Sequence, residues 1–182
     1  MFIVVENFYQ NPDSMRQYAL SQEFTVKGNY PGLRTGPIYE DWRNYIKTYL
    51  EENFLHKKIT NFPDGYNTAF QFTTKYDHTW VHHDDTTWAG VIYLTPNAPV
   101  ESGTGIYRHK ESGIFAHEEG LPDYNELKNT SEDWEIIATA GNIYNRLVLY
   151  RGNYYHRSIL PGFGDSPSTG RLFQTFFFDS EL

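Results

Sequence analysis

Apolar positions change period once along the chain, near residue 57. Before that point the spacing is mostly helical. Residues 2–6 (FIVVE) form a short apolar run that reads as a first strand. Asn11-Pro12-Asp13 then carries the signals of a helix start, with a capping side chain, a proline in the first turn and an acid at the positive end. This helix is expected to run to about Phe24, and Asn29-Tyr30-Pro31-Gly32 breaks the chain. Ile38, Trp42, Tyr45, Ile46, Tyr49, Leu50 and Phe54 recur at three- and four-residue steps, which predicts a second helix. Its single apolar stripe suits a flat partner such as a sheet.

After residue 57 the pattern becomes short aromatic or β-branched runs separated by turn residues. They are residues 58–61, 66–74, 79–84, 88–95, 105–109, 145–151, 153–158 and 171–179. Residues 110–142 are more polar and read as a loop excursion with a short helix, Pro122-Asp123 offering a start within 121–138. Two leading helices followed by such strands predict a mainly β protein with flanking helices. The expected form is a double-stranded β-helix, or jelly roll, with the N-terminal helices packed on one sheet. One or both of the long segments 110–142 and 159–170 are expected to border the mouth of the metal cavity and shape substrate choice, because long loops in compact domains usually serve function.

Composition narrows this reading. The chain has 182 residues, which suits one domain spanning 1–182, with a helical part over 1–56 and a jelly-roll core over 57–182. Aromatics make up 18% of it, a density suited to a β-rich core. There is no cysteine, so disulfides and thiolate metal sites are excluded, and any metal must be held by histidine and carboxylate. The formal charge of −8 argues against a generic nucleic-acid partner. The opening MFIVVENFYQ lacks a basic leader region, and no stretch approaches the ~20 apolar residues of a membrane span. A cytoplasmic protein with no membrane partner is therefore expected.

The chemistry concentrates in Thr79-Trp80-Val81-His82-His83-Asp84-Asp85. His82 and Asp84 lie two apart, so an extended chain aims both side chains the same way. His156, in the strand-like NYYHRS, is the best third ligand. Two histidines and one carboxylate suit non-haem Fe(II), because positions stay open for a co-substrate and O2. His83 and Asp85 have the same spacing and form a rival register. His82 and Asp84 are preferred because Trp80 and Val81 lead directly into His82.

Several pieces, taken together, resemble a known family. Val81-His82-His83-Asp84, then residues 88–94 (WAGVIYL), then 102–107 (SGTGIY), then His156, then 171–179 (RLFQTFFFD) are similar to the 2-oxoglutarate/Fe(II)-dependent oxygenases. The prolyl 4-hydroxylase-like branch matches best, and the front segment VVENFYQNPDSMRQYAL resembles small bacterial and phage members. The resemblance implies His82, Asp84 and His156 as iron ligands and the catalytic centre. It implies Arg171 as the anchor of the distal carboxylate of 2-oxoglutarate, since a guanidinium matches a carboxylate with two donors. It further implies Thr175, four residues on, as an added hydroxyl donor, Tyr93 beside the co-substrate, and Ile106 as an apolar wall. Asp85 is a potential outer acceptor for a ligand.

The implied activity is that of a dioxygenase, or hydroxylase, that converts 2-oxoglutarate to succinate while hydroxylating a C–H bond. Its cofactor would be Fe(II), its co-substrates 2-oxoglutarate and O2, and ascorbate an optional reductant. Asp84 favours hydroxylation over halogenation, because halogenating relatives carry a small residue there. An amino-acid or peptidyl, prolyl-like substrate is favoured, with another small molecule also open. Two other readings remain at this point: a cupin-like metal enzyme without 2-oxoglutarate that uses His82, His83 and His156, and a jelly-roll binding module without turnover.

Overall fold

The computed structural model describes residues 2–125 and 130–181. Asn11 caps the first helix, α1 (Pro12–Leu20), its side chain accepting from the Ser14 N–H at 3.1 Å. This helix ends before Phe24. The second, α2 (Glu40–Leu50), runs on into one π-helical turn at Glu51–Leu55. Glu51 ties that turn to the sheet. Its carboxylate accepts from the Ile59 N–H at 2.8 Å and from Lys58 Nζ at 3.0 Å.

The strands are β1 (Phe2–Val5), β2 (Leu33–Arg34), β3 (Ile59–Asn61), β4 (Phe70–Thr73) and β5 (Trp88–Tyr93). They continue with β6 (Thr104–His109), β7 (Trp134–Ala140), β8 (Leu147–Arg151), β9 (His156–Ser158) and β10 (Arg171–Ser180). Among the described residues they build a larger sheet in the order β1-β8-β5-β10-β4-β2, with β3 pairing on the end of β10. A smaller sheet has the order β7-β6-β9. The strand pairings among the described residues are antiparallel, so the architecture is the expected mainly β jelly roll with helices on one sheet.

Period-two alternation sorts the larger sheet into two faces. Ile92, Leu94, Leu147, Leu149, Leu172, Phe176 and Phe178 turn outward and pack with Met15 and Ala19 of α1 and Ile46 and Leu50 of α2. Ala89, Val91, Tyr93, Val148, Tyr150 and Phe173 turn inward, toward Ile106 and Ala140 of the smaller sheet. A third apolar cluster, with Tyr107, Trp134 and Tyr155, lies on the smaller sheet's side of the molecule.

Other sequence expectations change as well. Residues 134–140 form β7, although 110–142 reads as a polar excursion. Of the helix expected within 121–138, residues 126–129 lie outside the described residues, and 131–133 form only a 3-10 turn. The α2 stripe is also incomplete. Ile46 and Leu50 are buried, but Trp42 and Tyr45 are 48% and 60% exposed. No described helix is long and apolar enough to cross a membrane.

Candidate functional site

Residues 79–84 do not make a full strand. His82 forms a single antiparallel bridge with His156, with His82 N–H donating to His156 O at 3.1 Å and His156 N–H to His82 O at 2.7 Å. Directly opposed residues share one face, so this bridge sets the two imidazoles side by side, ring centroids 4.5 Å apart. Asp84 follows two residues later, its N–H donating to Gly152 O at 2.8 Å. Gly152 is required by this approach. A Cβ there would stand 2.0 Å from Thr86 O and 3.3 Å from Asp84 O.

The backbone also fixes which ring nitrogens face inward. His82 Nδ1 lies 3.1 Å from Trp80 O, and His156 Nδ1 lies 2.8 Å from Tyr154 O. A carbonyl only accepts, so both Nδ1 atoms carry the proton and both Nε2 atoms present lone pairs. These lone pairs point at Asp84. His156 Nε2 is 3.3 Å from Asp84 Oδ2, and His82 Nε2 is 3.9 Å from Oδ1. Asp84 Oδ2 is buried without a hydrogen-bond donor. Two lone-pair nitrogens and an unpaired carboxylate oxygen repel one another unless a cation sits among them. The donor set fits a divalent metal.

Electrostatics favour the ligating protonation states. Burial, with the neighbouring His156 next in weight, pushes His82 down to about 4, so its imidazole is neutral at pH 7. Burial opposes ionisation of Asp84, but His156, His82 and the Arg34 guanidinium outweigh it and hold the carboxyl below its ordinary value. The rival register is absent here: Asp85 is exposed, and His83 turns away to meet Asp123 and His117.

Arg171 opens β10 on the inward face. It is 4% exposed and lines the cavity that also holds His82, His156, Tyr150 and Thr175. Its Nη2 donates to Thr104 Oγ1 at 3.1 Å and reaches Tyr93 Oη at 3.5 Å, while Nε and Nη1 are buried without partners. Tyr93 is fully buried and bonds Thr104 at 2.8 Å, so it supports Arg171 from behind. Thr175 lines the cavity, but its hydroxyl stands 3.2 Å from the carbonyls of both Tyr66 and Ala69. The hydroxyl beside Arg171 thus belongs to Thr104, a residue the sequence did not single out.

The cavity mouth differs from expectation. Tyr30, Pro31, Arg34, Thr79, Trp80 and Arg157 line it, whereas none of residues 159–170 does. Arg34 stacks 3.7 Å over the Tyr30 ring, and its Nε donates to Gln71 at 2.6 Å. Residues 115–118 line a separate hollow beside His83, Asp84 and Asp85.

A solved structure shares this fold. HygX from Streptomyces hygroscopicus, with nickel, 2-oxoglutarate and hygromycin B bound, superposes with a TM-score of 0.62. It is 12% identical, with 97% of this chain and 82% of that one covered. A prolyl-4-hydroxylase from Pseudomonas putida superposes with a TM-score of 0.47 at 10% identity, covering 98% of this chain and 92% of that one. The likeness to HygX at such identity is one of fold. No curated protein matches. The model of DUF6445, a family of unknown function, matches residues 1–126 and so takes in His82 and Asp84 but neither His156 nor Arg171; by that match, over more than half of its length, the chain belongs to this family.

Proposed function

We propose that this chain is an Fe(II)- and 2-oxoglutarate-dependent dioxygenase that hydroxylates a C–H bond of an amino-acid or peptidyl, prolyl-like substrate. One observation carries the reading: two of the three metal donors, His82 and His156, line the same cavity as a buried arginine with two unpaired nitrogens. An uncompensated buried guanidinium is costly, so this one calls for an anion. A ligand with a metal-binding end and a carboxylate end answers both, and 2-oxoglutarate is such a ligand.

In this reading His82, Asp84 and His156 would hold the iron beside the cavity that His82 and His156 line. Arg171, held in place by Thr104 and Tyr93, would receive the distal carboxylate with its unpaired Nε and Nη1. Tyr150, whose ring lies 4.6 Å from that of His156, and Phe173 wall the cavity and limit water. Iron and 2-oxoglutarate, when bound, supply O2 activation coupled to decarboxylation of the keto acid to succinate. The substrate enters past Arg34 and Arg157, two cations suited to the carboxylate of an amino acid or an acidic peptide neighbour.

The cupin-like alternative draws no support, because the His83 ring stacks on His117 rather than joining His82 and His156. An anaerobic titration tests the proposal. Fe(II) followed by 2-oxoglutarate should produce a weak visible charge-transfer band, and absence of the band with iron bound would remove 2-oxoglutarate from the reading.

A further inference from the structure

His83 follows a ligand of the first cluster, and its side chain passes to the opposite side of the chain. It is buried, with 6% exposure, and Tyr155 stands edge-on to it at 5.4 Å. His83 Nε2 is 3.1 Å from Asp123 Oδ1. The His117 ring lies nearly parallel to that of His83, centroids 4.3 Å apart and planes at 6°. Each of the three residues offers one donor atom, all within 4.8 Å of one another. Nδ1 of His83 and Nδ1 of His117 are both buried without a hydrogen-bond partner.

Backbone contacts hold these donors in place. The Asn125 side chain pairs with the backbone of His83, accepting from its N–H at 3.0 Å and donating to its carbonyl at 2.9 Å. The Asn125 N–H donates to Asp123 Oδ1 at 2.8 Å, which fixes the carboxylate beside the imidazole. His117 is tied in the same manner to the loop before His156: its N–H donates to Asn153 O at 2.7 Å, and Asn153 Nδ2 donates to His117 O at 3.1 Å. The hollow in front of His83 and His117 is open to solvent, so an ion has a way in.

We propose that His83, His117 and Asp123 form a second metal site, for a zinc-class divalent ion, independent of the His82/Asp84/His156 cluster. Two imidazoles and one carboxylate, with no thiolate, suit Zn(II), Ni(II) or Co(II). Donors of a tetrahedral ion bonded at about 2.1 Å stand about 3.4 Å apart, so closing a cluster whose donors lie within 4.8 Å needs a shift of up to about 1.4 Å. His117 and Asp123 are half-buried and lie outside the strands, so they can supply that shift. A bound ion would staple the excursion between β6 and β7 to the chain segment that carries His82 and Asp84. The site rests on its own residues and does not depend on the dioxygenase reading.

The test is metal stoichiometry with ZnCl2, measured by elemental analysis after desalting. Wild type should hold two equivalents, and the folded double variant His117→Ala/Asp123→Asn should hold one. His82→Ala/His156→Ala should also retain one, and combining all four substitutions should leave none. His83 itself is left intact because a cavity in place of a buried ring endangers folding. Co(II) in the His82→Ala/His156→Ala protein should give ligand-field bands that His117→Ala/Asp123→Asn removes. Should the first-cluster variant fail to fold, the wild-type count against His117→Ala/Asp123→Asn decides. An unchanged count in His117→Ala/Asp123→Asn, whatever the wild-type count, would reduce the cluster to a hydrogen-bonded pair and overturn the site.

Discussion

The two faces of β10 differ less in burial than in whether their polar groups are satisfied. Toward the helices, Leu172, Phe176 and Phe178 join the main core, and Gln174 between them has a partner for each of its side-chain polar atoms. Gln174 Nε2 donates to Thr68 O at 2.7 Å, and its Oε1 accepts from the Tyr9 hydroxyl. Toward the smaller sheet, Arg171 is equally enclosed but keeps two donor nitrogens without partners. A buried polar group with every bond made belongs to the fold, whereas one left unmade on a cavity wall awaits a ligand.

The sharpest break of this comparison is removal of a metal donor on the cavity side. Asp84→Ala should abolish tight iron binding and 2-oxoglutarate turnover while leaving a folded protein, read by bound iron and circular dichroism. Asp85→Ala, in an exposed position, should bind iron as wild type does; equal loss in both variants would undo the register.

On the helix face the outcome should invert. Phe176→Ala should cost about 3–5 kcal/mol in urea unfolding through a core cavity. The protein that remains folded should keep its iron affinity. A variant that lost iron in proportion to stability would show that the two faces are not separable.

Arg171→Ala should weaken 2-oxoglutarate binding about 10- to 100-fold, the loss of a charge-assisted pair, with iron binding retained. Thr104→Val should weaken it less, because Thr104 acts only through Arg171. Titration of the charge-transfer band measures both.

The smallest effect lies at Glu51, on neither face. Burial opposes its ionisation, but the Ile59 N–H and Lys58 outweigh this and depress its carboxyl. A depressed carboxyl stabilises the fold at pH values above the ordinary ~4.3. That contribution is lost as pH falls through the lower folded value. Glu51→Gln should therefore narrow the difference in urea midpoint between pH 7 and acid, without touching metal or co-substrate binding.

Local patterns exposed much of this in the sequence, and long-range pairings did not. The two-residue step from His82 to Asp84 and the alternation along 171–179 are periodic, so they could be read directly. Which imidazole opposes His82 depends on a bridge across the fold, yet the strand-like surroundings of His156 pointed to it. Thr104 reaches Arg171 across 67 positions, and nothing local to Ser102-Gly103-Thr104 announces that. β7 was hidden because Ile136 and Ile137 sit among polar neighbours and Ile136 is 47% exposed. His117 and Asp123 lie outside any strand or helix, where period carries no information about partners.

Gly152 extends the list of positions that matter to one with no functional group at all. The backbone of Asp84 hangs from its carbonyl, and the space a methyl would need is taken by Thr86 O. In a saturation library scored for iron retention, position 152 should be nearly as intolerant as the ligands themselves. Alanine should fail there although it removes no donor, so a tolerance map would mark as essential a residue whose contribution is vacant space.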